Sequence, residues 1–288
     1  MITVFTPTYN RAYCLGNLFN SLCSQTYTDF EWLIVDDGST DNTKSLVEGF
    51  CCNSNINIRY VYQKNGGKHR AINRGVAEAR GELFFIVDSD DTLPGDSLET
   101  ISVYAQGINW RDDGIAGVSG VRIYSNGVRI GGTFPFDELI CNAIELRDKY
   151  HVKGDMAEVW VTSILKEYQF PTFLQEKFVT EAVVWYRIAK TYKIKYFNKP
   201  IYQCEYLEDG LSRNIRRIHR NSPKGSMLYC IEMIQNSQVS LLSKLKATIN
   251  YWRYTIHYKG ERPKELLPYW WMWLFWPLGY MFYRRDLK

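Results

Sequence analysis

Through the first hundred residues, short apolar runs alternate with segments whose apolar positions recur every three or four residues. Ile2–Thr6, Glu31–Asp36, Asn57–Gln63 and Leu83–Asp88 are rich in β-branched and aromatic residues and read as strands. Between them, Leu15, Leu18, Phe19 and Leu22 fall on one helical face. Leu46, Val47 and Phe50 mark a second helix, and Ala71, Ile72, Gly75 and Ala79 a third. Alternation at this spacing requires right-handed crossovers. It predicts an α/β, doubly wound, mostly parallel sheet flanked by helices, with ligands outside the carboxyl ends of the strands.

Beyond Ile115 the pattern loosens. Val118–Tyr124 and Val128–Gly132 read as strands around the turn Ser125-Asn126-Gly127. A helix is expected over Glu181–Thr191, with Val184, Ile188 and Tyr192 on one side. After Asn214 the chain turns basic and then strongly aromatic. The division expected is one domain over 1–214, in halves 1–110 and 111–214, followed by a helical and aromatic extension over 215–288.

Composition narrows the classes. The 288 residues are 45% hydrophobic, enough for a sizeable core, and the net charge of +4 is too mild for a dedicated nucleic-acid binder, so no nucleic-acid partner is expected. Seven scattered cysteines include no Cys-x-x-Cys pair. With no signal-peptide pattern behind Met1, they point to reduced thiols and a cytoplasmic setting.

Three polar clusters close three of the strands: Thr6-Pro7-Thr8-Tyr9-Asn10, Asp36-Asp37-Gly38-Ser39 and Asp88-Ser89-Asp90-Asp91. The strand-end rule brings them to one edge. Asp88 and Asp90, one residue apart behind the apolar run Leu83–Val87, can offer hard oxygen ligands to Mn²⁺ or Mg²⁺. An isolated Asp-x-Asp is more often a solvated turn, and it is the buried strand before it, aiming the carboxylates, that favours the metal. Asp37 could accept hydrogen bonds from a base or ribose, while Ser39, Thr40 or Asp41 caps the following helix. The stretch from Asn65 to Gly75 resembles a glycine-rich loop feeding a helix start, where Lys68 and Arg70 suit a nucleotide's base edge or diphosphate. There is no Gly-x-Gly-x-x-Gly after the first strand and no Walker loop.

Together, Pro7-Thr8-Tyr9-Asn10, Ser24-Gln25-Thr26-Tyr27, Val35-Asp36-Asp37-Gly38-Ser39, Gly67-Lys68 and Asp88-Ser89-Asp90-Asp91 resemble the family 2 glycosyltransferases over roughly the first hundred residues. The resemblance implies a GT-A fold, a nucleoside-diphosphate sugar donor and inversion at the anomeric carbon. It implies that 1–110 binds the nucleotide sugar and 111–214 carries acceptor and catalytic groups. Pro7, Tyr9, Asp37, Lys68, Arg70, Asp88, Ser89 and Asp90 would then bind donor, with Asp88 and Asp90 on the metal. Val179–Ile188 resembles the segment that carries the family's general base, which makes Glu181 the expected base and Glu176 the alternative. Many relatives have Glu-Asp where this chain has Glu181-Ala182. Asp155 and Glu158 are expected at the acceptor, or else in a turn and a helix cap. Arg213, in Gly210–Asn214, would reach the phosphates from a closing loop. Uridine is the default base. Two rival readings are a sugar-phosphate nucleotidylyltransferase, whose glycine-rich loop is missing, and a catalytically silent glycan-binding scaffold.

The segment Leu266–Tyr283 carries no charge and is followed by Arg284-Arg285. Two prolines and an excess of Trp and Tyr suit a bilayer interface better than a span. Upstream, Lys244, Lys246, Arg253, Lys259 and Arg262 alternate with apolar residues as in a basic surface helix. Membrane-surface contact through 266–285 is therefore expected, at the inner face of the cell membrane; the alternative is a segment packed on its own domain or on a second subunit. The acceptor would be a hydroxyl, a lipid-linked one if the contact holds.

Overall fold

The computed structural model describes residues 1–204, 211–258 and 269–287, and only the backbone of 211–214. The chain packs as two compact units, Met1–Gln169 with Thr191–Leu207 and Phe170–Lys190 with Glu208–Lys288. This places Glu181 in the second unit, upstream of the composition shift at 214.

The first unit is a sheet of eight strands among the described residues, in the order β3-β2-β1-β4-β7-β5-β8-β6. Its first half is β1 (Ile2–Thr8), β2 (Phe30–Asp36), β3 (Asn57–Tyr62) and β4 (Leu83–Ile86), all parallel. The crossovers are α1 (Ala12–Cys23), α2 (Thr43–Cys52) and α3 (Lys68–Glu78), so every element expected in the first ninety residues is present. β1, β2 and β4 are apolar runs because helices cover both faces: Val4, Phe5, Leu33, Ile34, Phe84 and Phe85 are fully buried. Phe19 of α1 stacks on Phe50 of α2 with ring centroids 4.1 Å apart, and both rings lie near Trp32. Gly75 of α3 lets the helix sit on Phe5, whose ring would lie 2.2 Å from any Cβ there. At the strands' opposite end, fully buried Glu31 is satisfied by Thr3 Oγ1, the Arg80 amide and Arg59.

The second half of the sheet departs from the expectation. After α4 (Ser97–Ala105) come β5 (Ile115–Tyr124), β6 (Glu138–Cys141), α5 (Ala143–Asp148), β7 (Met156–Val161), α6 (Thr162–Leu165) and β8 (Lys193–Cys204). β7 inserts antiparallel between β4 and β5, and β6 pairs antiparallel with β8. The sheet thus has four parallel and three antiparallel pairings. Val128–Gly132 is not a strand. Only Arg129 bridges back to Ile123, and Gly131 and Gly132 take φ of 85° and 86°, which breaks the extended run.

The second unit is helical: α7 (Ala182–Ile188), α8 (Leu211–Asn221), α9 (Pro223–Gln235), α10 (Leu241–His257) and α11 (Trp276–Asp286), with a 3-10 turn over Trp270–Phe275. α7 is shorter than expected, so Tyr192 leaves the helical face and precedes β8. The core here is Met227, Cys230, Ile231, Ile234, Ala247, Tyr251, Trp252 and Met272. α10 is therefore a packed helix rather than a basic surface one, and Arg253 turns inward to pair with Asp286. The positions Lys259, Arg262 and 266–268 lie outside the described residues.

Candidate functional site

The three polar clusters meet at the carboxyl ends of β1, β2 and β4, all within the first unit. Hydrogen bonds extend each strand into its loop: the Asp37 amide donates to the Thr8 carbonyl (2.8 Å), and the Val87 amide to the Phe5 carbonyl (2.8 Å). The first two loops are laced together. The Asn10 amide donates to Ser39 Oγ (2.8 Å), and the Thr40 amide donates to Asn10 Oδ1 (2.8 Å). Asn10 sits at φ 52°, a region that Asn tolerates better than most side chains. Pro7 lies half-buried at the end of β1, and Tyr9 projects from the loop at 49% exposure, an open aromatic face beside the polar edge.

Asp37 has partners within the protein. It is buried, and its carboxylate accepts from Gln63 Nε2 (2.7 Å) and from the amides of Gly66 (2.8 Å) and Gly67 (2.7 Å). It shapes the glycine-rich loop from beneath. Gly38, at φ 87°, permits this approach, since a Cβ there would lie 2.7 Å from the Asn65 nitrogen. Asp36 accepts from the Ser39 amide (2.7 Å) and the Tyr60 hydroxyl (2.6 Å). Asp41 receives Thr43 at the start of α2 and also the Ala12 amide at the start of α1 (3.1 Å), so capping and loop shaping share one acidic stretch.

The loop shaped by Asp37 delivers Lys68 and Arg70 to the first turn of α3. That turn holds no acid, and cations there oppose the helix dipole, an arrangement that favours an anionic ligand. Lys68 Nζ lies 2.7 Å and 3.0 Å from the two oxygens of Asp88. Arg70 packs along Gly66, where a Cβ would lie 2.7 Å from its Cδ. His69, between them, is buried, and its ring has no hydrogen-bond partner. Burial first, then the Arg70 charge, lowers its pKa to about 4.

At the end of β4 the two metal candidates differ. Burial pushes the Asp88 carboxyl up, but Lys68, then Arg122 and Arg11, pull it below the ordinary range. Asp90 goes the other way: burial raises it first, and the Asp88 carboxylate raises it further. A divalent ion would relieve both effects on Asp90, and the oxygen donors suit Mn²⁺ or Mg²⁺. Among the described residues no group of three or more His, Cys, Asp or Glu could hold a metal by itself. An ion bound by Asp88 and Asp90 would need further oxygens from a ligand such as a diphosphate. Ser89 is buried between them.

Several residues of this edge escape a sequence reading. Arg11 approaches Asp90 to 3.9 Å, and nothing in the Pro7–Asn10 pattern marks it. More distant is Tyr202 in β8, 1% exposed. Its hydroxyl donates to Asp91 (2.7 Å) and accepts the Asp88 amide (3.0 Å). The guanidinium of Arg122 lies 4.3 Å over the Tyr202 ring and donates to the Met156 carbonyl. Thr92 and Gln203 exchange backbone hydrogen bonds of 3.0 and 2.9 Å. The acidic loop is therefore clamped by a strand more than a hundred residues downstream.

The remaining candidates lie elsewhere. Asp155 is exposed in the turn formed by Gly154 (φ 77°). Glu158 is on strand β7 opposite Ser119 of β5, so it caps no helix. In the second unit, Glu181 is half-buried at the N-terminus of α7, where its carbonyl accepts from the Val184 and Trp185 amides. Glu176 is committed: its two oxygens take the Lys224 (2.9 Å) and Gly225 (3.0 Å) amides at the start of α9. Leu211–Asn214, expected in a loop, open α8; Gly210 and the Arg213 side chain lie outside the described residues.

Residues 3–130 match the family described as Glycosyl transferase family 2. That stretch, a little under half of the chain, is what resembles a family 2 glycosyltransferase. The chain is 38% identical over 102 residues to glycosyltransferase GlyG of Streptococcus pneumoniae, covering 35% of this chain and 34% of that protein. The chain spans about a third or less of the length of the first curated relatives. A longer match, 27% identical over 231 residues, covers 76% of this chain and 70% of the GalNAc(5)-diNAcBac-PP-undecaprenol beta-1,3-glucosyltransferase of Campylobacter jejuni. Among solved structures, residues 1–349 of TarS from S. aureus with UDP-GlcNAc align at a TM-score of 0.63 and 18% identity, covering all of this chain and 81% of that one. The mannosyltransferase PcManGT of Pyrobaculum calidifontis, with GDP-Man and Mn²⁺, aligns at 0.59 and 15%, covering 100% and 88%. These likenesses show the fold, which is of the GT-A type.

Proposed function

We propose that the chain transfers a sugar from a nucleoside diphosphate to an acceptor hydroxyl, with inversion, in the assembly of a surface polysaccharide or glycolipid. The observation that carries this is the gathering of Tyr9, Lys68, Arg70, Asp88 and Asp90 at one edge of the sheet, on a family 2 domain. Tyr9 is open for stacking on the base, and Lys68 and Arg70 face the diphosphate's charge. Asp88 and Asp90 would hold a divalent ion, which supplies charge neutralisation to the departing nucleoside diphosphate. Glu181 takes the proton from the acceptor hydroxyl. The acceptor oxygen bonds to the anomeric carbon as the bond from that carbon to the diphosphate oxygen breaks.

Uridine is the first base to test, since TarS is solved with UDP and with UDP-GlcNAc. PcManGT with GDP-Man keeps guanosine in the panel. The Campylobacter relative's name describes an undecaprenol-linked acceptor, which supports a lipid-linked hydroxyl here and work at the inner face of the cell membrane.

A panel of sugar nucleotides scored by melting temperature, with and without Mn²⁺, tests the reading directly. One donor should raise the melting temperature, more with metal than without, in proportion to its affinity. Donor hydrolysis or transfer with that nucleotide separates an enzyme from a silent scaffold. If no sugar nucleotide shifts the transition, the proposal fails.

A further inference from the structure

The last described segment has its polarity turned inside out. In the 3-10 turn Trp270–Phe275 and in α11, Met272, Gly279 and Asp286, spaced by seven residues, meet α10, and the rings of Trp273 and Tyr283 flank them against Trp252 and His257. Met272 is fully buried, and its carbonyl accepts from Trp252 Nε1 (2.6 Å). Gly279 lies so close to α10 that a Cβ would meet Trp252 Cβ at 2.4 Å. The Asp286 carboxylate is taken by Arg253 and by His257 Nε2 (3.2 Å). So the acid of the segment faces inward, into the protein.

The outward residues are apolar. Trp270 is 80% exposed and Leu274 71%, with Trp273, Trp276, Leu278 and Met281 between 39% and 51%. In an ordinary amphipathic helix these would be the buried positions. Charge completes the pattern. Asp286 is the only acid in 269–287 and is already paired, whereas Arg284 and Arg285 stay exposed at the end of the same helix. An apolar, Trp-rich face with exposed cations at its margin, Arg284 beside the Tyr280 hydroxyl and Arg285 over the Phe282 ring, complements a surface that is apolar within and anionic at its rim. A second copy of the chain, seated symmetrically, would bring the same two arginines towards their own images. Among the described residues no helix is long and apolar enough to cross a membrane.

We infer that the outer face of Trp270–Phe275 and α11 seats on an anionic phospholipid bilayer. The helix lies in the interface, Trp270, Trp273 and Leu274 enter the headgroup boundary, and Arg284 and Arg285 pair with lipid phosphates. This rests on the proposed function only in giving a lipid-linked acceptor a surface to meet; the seat itself needs no transfer.

The test is co-sedimentation of the full chain with vesicles of phosphatidylcholine, alone or mixed with phosphatidylglycerol, with tryptophan quenching by bromolipids. The chain should bind the mixed vesicles and be quenched there. Arg284→Gln and Arg285→Gln should each weaken binding about 5-fold, and only on the anionic vesicles. Leu274→Ser with Met281→Ser should abolish binding on both lipids at an unchanged melting temperature. Equal sedimentation of that double variant and the native chain overturns the inference. So does a dimer that it dissociates in a chain that binds no vesicle. Asp90→Ala should bind vesicles like the native chain; if transfer is absent throughout but vesicle binding persists, the transferase reading fails and the membrane seat stands.

Discussion

The two units spend their polar residues differently. In the first, nearly every carboxylate near the sheet edge has a fixed partner: Asp36 on Ser39 and Tyr60, Asp37 on Gly66 and Gly67, Asp91 on Tyr202. In the second, Glu176, Glu232 and Asp286 hold helices together, Glu232 through Arg187 (2.7 Å) and Lys190 (2.9 Å), while the outward face of α11 is left apolar. One unit uses polarity to aim a rigid set of groups. The other uses it as internal glue and presents hydrophobic surface. Preorganised groups act without rearrangement cost, which suits donor binding, whereas an interfacial face needs only composition and orientation.

The largest effects on that contrast come from the acids proposed to act on a ligand. Asp90→Ala should cut transfer at least about 100-fold and remove the Mn²⁺-dependent part of donor binding, with little change in melting temperature. In the other unit, Glu181→Gln should lower turnover about 10²- to 10⁴-fold while donor binding, measured by calorimetry, stays as it was. Full turnover in that variant would remove Glu181 from the role of base. A smaller effect sharpens the claim of preorganisation. Tyr202→Phe keeps the ring beneath Arg122 but loses two hydrogen bonds to the acidic loop, and should weaken Mn²⁺-dependent donor binding about 10-fold without changing acceptor KM.

Two glycines compare the units by stability alone. Gly75→Ala drives a methyl into the Phe5 ring and should cost about 1–3 kcal/mol in denaturant unfolding, along with donor affinity. Gly279→Ala pushes α11 away from Trp252 by a similar clash, and should raise hydrogen exchange in α10 and α11 while leaving donor affinity alone.

The gentlest probe is pH. His69 has a folded pKa of about 4, below the ordinary 6.5, so the unfolded chain binds the proton first. Its contribution is fully present above about 6.5 and is lost as pH falls towards 4. The melting temperature should drop across that window, and less steeply in His69→Gln.

How much was legible follows from the range of the interactions. β1 to β4 and their helices were readable because each is a local run with its own period, and parallel crossovers leave few topologies. The acidic loop was readable for the same reason, since β4 aims it directly. β6, β7 and β8 were missed: β7 is an antiparallel insertion beside β4, and nothing in Met156–Val161 announces its neighbours. Asp37 is readable as a residue of this edge, but its partners Gln63, Gly66 and Gly67 are not, because a sequence does not say which partner a carboxylate will choose.

The amino-acid order by itself determined a parallel α/β half, the polar loops at its strand ends and an uncharged aromatic tail, all consequences of periodicity and nearest-neighbour chemistry. Tertiary structure alone decided that Tyr202 would clamp Asp91, that Glu176 would be spent on a helix end, and that Arg253 would turn inward to Asp286. Those choices join residues 33 to 111 positions apart, and burial forces each polar group to find whatever partner the packed chain brings within reach.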